Sequence, residues 1–238
     1  MSNRVLIVLH QETSHPGRVG QALERRGCAL DIRRPRFGDP LPPTLSQHAG
    51  AVVFGGPMSC NDDEPYLHAE IDWLRVPLDE GAPYLGICLG AQMLAKHLGA
   101  RVDYHPEGRI EAGYYPIRPT PAGRRLLDWP ERVYQWHREG FELPRGACLL
   151  AEGDDFPNQA FAYGGAAFGL QFHPELTLAM MHRWTTRGHR RLTLPGAQCR
   201  ASHFEGRALH DGALKGWLET FLDVWLASDR RALLAAAE

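Results

Sequence analysis

The chain has 238 residues, of which 44% are hydrophobic and 23% charged, with a formal net charge of −2. These are the proportions of an ordinary globular protein, long enough for one sizeable core and short for two, so a single domain over 1–238 is expected. The small charge gives no global attraction to nucleic acid or to an anionic membrane. Before His10 the apolar run is only Val5–Leu9, too short for a signal peptide, and no later stretch is long enough to span a bilayer, so a cytoplasmic protein is expected. Five cysteines, at 28, 60, 88, 148 and 199, form no C-x-x-C pair, which argues for reduced thiols rather than a disulfide frame or a zinc site.

In chain order, the first half alternates strand and helix. Arg4–His10 is a β-branched and leucine run, Gly17–Arg26 a polar helix closed by Gly27, and Ala29–Arg33 and Gly50–Phe54 two further strands. A helix over Tyr66–Glu80 precedes a buried strand over Pro83–Ile87, and Ala91–Leu98 has apolar residues at helical spacing. This alternation predicts an α/β fold with a parallel sheet, in which chemistry collects at the carboxyl ends of the strands.

Two such ends stand out. Gly55-Gly56-Pro57 follows the third strand; it is either a plain turn or a turn whose amides, with that of Leu89, bind a developing oxyanion. Cys88 sits where the Pro83–Ile87 strand meets the next helix, flanked by Gly86 and Gly90 in the G-x-nucleophile-x-G form of a nucleophile elbow. At that place the amino end of the helix favours thiolate over thiol. A core cysteine beside packing glycines is the other reading. Cys28 follows a helix and Cys148 lies in an expected strand, so both should be shielded. Cys60, just after the glycine turn, is either a second reactive thiol or a small residue.

From Gly99 to Gly165 short strands are expected over Tyr114–Ile117, Arg132–Trp136, Ala147–Ala151 and Gln159–Tyr163, antiparallel and laid on the sheet edge. Trp136 and His137 form either a pocket rim or a packed tryptophan beside a surface histidine. Phe168–Phe172 is a strand followed by His173-Pro174-Glu175, which offers a base for a cysteine and a carboxylate to orient that base. Arginines 183, 187, 190, 191, 200 and 207 then face a single acid, Glu205; this is either a solvated surface or an anion or partner site beside the catalytic mouth. A helix over 211–226 presents Leu214, Trp217, Leu218, Phe221, Leu222 and Trp225 on one side.

Three ordered motifs, GGPMS, GICLGAQ and GLQFHPE, make the chain from Arg4 to Met181 resemble the class I glutamine amidotransferase domain, nearest to the stand-alone members related to the glutaminase half of GMP synthetase. The resemblance implies a single flavodoxin-like domain with a mostly parallel central sheet, flanking helices and a small antiparallel edge sheet. It implies a catalytic triad of Cys88, His173 and Glu175, an oxyanion hole from the Gly56 and Leu89 amides, and glutamine contacts at Gln92, Trp136 and His137. Where those relatives have Ser-His-Gly-Asp, this chain has Trp136-His137-Arg138-Glu139, so the grip on the substrate's amino-acid end is expected to differ. Trp136 and Phe141 would supply an apolar wall for a leaving group larger than ammonia. The implied activity is hydrolysis of glutamine without metal or organic cofactor. No nucleotide-activating segment is present, so any ammonia would pass to a separate synthase subunit. The alternatives are a γ-glutamyl peptidase acting on peptide or polyamine conjugates, and a catalytically silent regulatory subunit.

Overall fold

In the computed structural model, which describes residues 3–228, the first half of the chain runs β1 (Arg4–Val8), α1 (Gly17–Arg25), β2 (Ala29–Arg33), β3 (Gly50–Val53), α2 (Pro65–Trp73), α3 (Arg75–Glu80), β4 (Tyr84–Ile87) and α4 (Leu89–His97). The single helix expected over 66–80 is two, because Pro77 has no N–H to give the preceding turn and the chain resets at Leu74. The second half runs β5 (Val102–Tyr104), β6 (Glu111–Pro116), β7 (Arg118–Pro119), α5 (Pro121–Leu126), β8 (Arg132–His137), β9 (Glu139–Phe141), β10 (Cys148–Glu152), β11 (Ala160–Tyr163), β12 (Ala167–Leu170), α6 (Leu178–Arg187) and α7 (Arg200–Ala227). The expected domain span of 1–238 therefore extends past the described residues at both ends.

One eight-stranded sheet has the order β2-β1-β3-β4-β12-β11-β10-β7. Its first five strands pair in parallel, and β11, β10 and β7 extend it antiparallel. The strands expected near 147–151 and 159–163 are thus part of the main sheet, whereas β6 and β8 form a separate antiparallel pair, as do β5 and β9. Cys148 opens β10 exposed, against the expectation of shielding, because only the inner part of that strand is covered.

A hydrophobic core covers each face of the sheet. The valines, leucines and isoleucines of β1, β3 and β4 are buried on both faces, which is why these strands read as unbroken apolar runs. The terminal helix starts 11 residues earlier than expected, and its Leu214, Trp217, Leu218, Phe221, Leu222 and Trp225 are all buried against the core on the α1 side. Each such side chain contributes about 1.5–3 kcal/mol of burial. Arg18 of α1 donates to Asp211 of α7 at 2.7 Å, tying the two helices together. Among the described residues no helix is long and apolar enough to cross a membrane.

The parallel pairing of β4 with β12 positions the site. It sets Leu170 beside Ile87, so the residues following the two strands emerge at the same edge although far apart in the chain. Cys88 N–H donates to Leu170 O at 2.7 Å, continuing the ladder one residue past β4.

Candidate functional site

Cys88 has φ 52° and ψ −105° and is the only non-glycine residue with positive φ among those described. Such a conformation costs about 1–3 kcal/mol and survives only where its surroundings enforce it. Here the flanking glycines permit the bend. A Cβ on Gly90 would lie 2.1 Å from Val53 O, and one on Gly86 would lie 2.4 Å from Gly90 O. Gly86-Ile87-Cys88-Leu89-Gly90 is therefore a strand-to-helix elbow that β3 crosses at backbone contact.

His173 leaves β12 through Gln171 and Phe172 and is held by its own N–H, which donates to Tyr134 O at 2.9 Å. Its Nδ1 donates to Glu175 Oε1 at 2.7 Å, and both side chains are buried. Among the described residues Nε2 bonds to no further group and is left to the Cys88 thiol. Burial, the largest influence on the ring, works to lower its pKa; attraction by Glu175 and by the Cys88 sulfur outweighs it and raises the value to about 10. Trp184 of α6 packs edge-on to the ring at 4.9 Å.

A Cβ placed on Gly55 would come 3.0 Å from His173 Cε1 and 3.8 Å from Cys88 Sγ, so both groups converge on the glycine turn after β3. Neither the Gly56 amide nor that of Leu89, the first residue of α4, takes part in the turn and loop bonding of the described residues. One brace of this turn was not anticipated from sequence. His10, at the end of β1, donates from Nδ1 to Gly55 O at 3.3 Å, and its Nε2 lies 2.8 Å from Glu70 Oε2. In a trans peptide the N–H opposes the C=O, so holding the Gly55 carbonyl on His10 directs the Gly56 N–H the other way. The available signal was position: His10 also lies at a carboxyl strand end.

A cavity of about 260 Å³ contains Cys88, His173, Gly55, Gly56 and Trp136 in its wall. The same wall carries Arg183, Arg187 and Arg191, so the arginine-rich segment lies at the mouth of the cysteine site. A larger groove of about 800 Å³ lies at the opposite end of the sheet, around Ala82 and Ala166 at the amino ends of β4 and β12, away from Cys88.

The other expected contacts separate. Trp136 lines the cavity, tilted against Trp184 at 6.0 Å. His137 does not: it is buried, with Nε2 2.9 Å from Glu111 Oε2 and Nδ1 donating to Glu139 O at 3.0 Å. Adjacent residues of β8 point to opposite faces, so only one of the pair can reach the cavity, and neither the shared rim nor the surface histidine describes His137. Gln92 is also absent from the cavity wall; its Nε2 donates to Glu139 O at 2.8 Å. Phe141, expected in an apolar wall, packs edge-on to Phe161 at 5.1 Å within the core. Glu139, the last residue of the Trp136-His137-Arg138-Glu139 run, accepts from Ser59 Oγ at 2.8 Å and likewise lies outside the cavity. Cys60 is fully buried, and burial pushes its pKa up to about 12, which suits a packing residue. Among the described residues no cluster of histidine, cysteine and carboxylate side chains could hold a metal ion.

Residues 13–187 match the family model for glutamine amidotransferase class I. The chain is 34% identical over 185 residues to YfeJ, a glutamine amidotransferase-like protein of Salmonella typhimurium, with 74% of this chain and 77% of that one covered. It is 33% identical over 154 residues to the glutamine-hydrolysing GMP synthase of Paraburkholderia phytofirmans, covering 56% of this chain but 26% of that enzyme. Among solved structures, a glutamine amidotransferase from Methylobacillus flagellatus superimposes with a TM-score of 0.87 at 27% identity, covering 95% of each chain. One from Thermotoga maritima superimposes with a TM-score of 0.84 at 31% identity, covering 94% of this chain and 98% of that one.

Proposed function

Starting from the fact that this chain belongs to the class I glutamine amidotransferase family, we propose that it is a cysteine-dependent hydrolase of γ-glutamyl amide bonds, with glutamine as the reference substrate. The observation that carries this reading is the imidazole of His173, anchored to Glu175 at 2.7 Å through Nδ1, with its Nε2 left to the thiol of an elbow cysteine.

With the thiol proton on His173, the Cys88 sulfur attacks the γ-carbonyl carbon and the carbonyl electron pair moves onto oxygen. The Gly56 and Leu89 amides are the donors suited to that oxyanion. Collapse breaks the C–N bond, and His173 gives its proton to the departing nitrogen, releasing ammonia from glutamine and leaving a glutamyl thioester. Water then attacks the thioester, His173 takes its proton, and glutamate and the free thiol are regenerated. Side chains, backbone amides and water account for every proton and electron pair in these steps.

The same chemistry serves two settings. In one, ammonia passes to a separate synthase; the likeness to the glutaminase portion of GMP synthases favours this, since the chain matches only 26% of such an enzyme. In the other, a γ-glutamyl conjugate is cleaved by the isolated protein, which the cationic cavity favours. Incubating the purified protein with glutamine and with γ-glutamyl dipeptides, and measuring the glutamate released, tests the chemistry and separates the settings. Cys88→Ala should lower release by at least about 1,000-fold for every substrate while the protein stays folded. Retained turnover in folded Cys88→Ala protein would place the chemistry elsewhere.

A further inference from the structure

The cavity wall carries three arginines and no carboxylate free to pair with them. Arg183 and Arg187 lie one turn apart on α6, with Trp184 between them turned onto His173, and Arg191 follows in the short helical turn over His189–Thr193. All three arginines are in the cavity wall, and the one acid there is Glu175, which is bound to His173. Among the described residues none of the three makes an ion pair; Arg183 donates to Thr13 O at 3.1 Å. Arg191 is half-buried; burial, then repulsion from Arg138, push its pKa down, and attraction by the Cys88 sulfur and by Tyr104 offsets this only in part. Glu12, in the facing loop, and Glu139, held by Ser59, both lie outside the wall.

Glutamine carries one ammonium and one carboxylate and is neutral overall. A wall that includes three arginines and no free acid suits a molecule with more negative charge than that, and it disfavours one with an added cation. We propose that Arg183, Arg187 and Arg191 form a leaving-group subsite that binds a carboxylate on the departing amine, so that the substrates are γ-glutamyl amino acids or peptides. The inference rests on the cysteine hydrolase reading above and narrows it. The bond changes are the same: the C–S bond forms, the C–N bond breaks on collapse, and the amine leaves with the His173 proton and its carboxylate still on the arginines. γ-Glutamyl polyamines, whose leaving group is cationic, are the disfavoured conjugates.

The test compares three amides sharing the γ-glutamyl half: γ-glutamylglycine, γ-glutamyl methylamide and γ-glutamylputrescine. Glutamate release is measured with the wild-type protein, with Arg187→Gln, Arg191→Gln and the double variant, and with Arg187→Lys as the charge-preserving control. The wild-type kcat/KM should favour γ-glutamylglycine over the methylamide by about tenfold or more, with the putrescine conjugate slowest. That ratio should fall to within about threefold in the double variant, mainly through KM, persist in Arg187→Lys, and shrink as salt is raised. Equal cleavage of the three amides by the wild type would overturn the proposal. So would an equal loss on γ-glutamylglycine and the methylamide in the double variant, which would assign the arginines to the shared α-carboxylate, or no change at all, which would assign them to a protein partner.

Calorimetry on Cys88→Ala with the same amides keeps this separate from the chemistry. Arginine-dependent binding of γ-glutamylglycine without wild-type turnover would overturn the hydrolase and keep the anion subsite. Turnover without charge preference would do the reverse, and neither binding nor turnover would overturn both.

Discussion

Two buried histidine–carboxylate pairs sit on neighbouring parts of this molecule and differ in one bond. His173 contacts Glu175 at 2.7 Å, and His137 contacts Glu111 at 2.9 Å. At His137 the second ring nitrogen is also engaged, donating to Glu139 O, and Phe156 packs edge-on to the ring at 4.7 Å. At His173 the second nitrogen is left to a cysteine at the wall of a cavity. A carboxylate therefore does not make a histidine a base; it orients the ring in both places. What distinguishes them is whether the other nitrogen is occupied by the fold or open to a reacting group.

The largest break in this comparison comes from exchanging each histidine for asparagine. His173→Asn should lower glutamate release by about 1,000-fold or more, because no other group can take the thiol proton, with a smaller change in stability. His137→Asn should show the opposite pattern. It leaves the buried Glu111 carboxylate without its imidazole and should cost about 1–3 kcal/mol of stability, with kcat of the folded fraction within about threefold of wild type. Parallel denaturant melts and initial-rate assays measure both, and a loss of rate in His137→Asn as large as in His173→Asn would erase the distinction.

Glu175→Gln sharpens the comparison by removing the charge but not the shape. The attraction that holds the His173 proton weakens, so its pKa should fall from about 10, and glutamate release should drop by about 100-fold or more. Because the folded-state value lies above the unfolded value of 6.5, the His173 proton stabilises the native protein fully below about pH 6.5. That stabilisation is lost as the pH rises through about 10. Ring-resonance titration of His173 by NMR checks the shift, and an unchanged titration in Glu175→Gln would show that Glu175 does not hold the proton there.

A third buried pair, His10 with Glu70, supplies the smallest effect. It touches neither cysteine nor substrate but holds the Gly55 carbonyl. His10→Phe should lower kcat by about tenfold with little change in KM, since an oxyanion donor acts mainly in the transition state. A change confined to KM would move the role of His10 from the Gly56 amide to ground-state binding.

How much of this was legible in the chain differs by kind of residue. Gly86, Cys88 and Gly90 announce the elbow because a bend between a buried strand and a helix needs small residues on both sides, and that need is local. His173-Pro174-Glu175 is local too: the imidazole and the carboxylate that hydrogen-bond are only two residues apart. The strand and helix alternation of the first half is likewise set by short-range apolar patterning, and the helix expected over 66–80 divides only where Pro77 interrupts it. Gln92, His137 and Phe141 lie outside the cavity wall for a common reason: whether a residue faces a cavity or the core depends on which face of its helix or strand the packing exposes. Trp136 and His137 are neighbours in the chain and diverge in space.

The sequence by itself determined the alternation, the elbow, the histidine with its carboxylate and the family motifs, each through contacts within a few residues. Only the tertiary structure decided that β12 lies beside β4, which brings His173 to Cys88 and leaves Nε2 of His173 to the thiol. It also decided that Arg183, Arg187 and Arg191 line the same cavity, and that His10 reaches across to Gly55. The physical reason is that hydrogen-bonded strand pairing and side-chain packing join segments with no short-range signal for each other. A free ring nitrogen or an unbalanced charge is a property of what surrounds a residue, and those surroundings exist only once the sheet has closed.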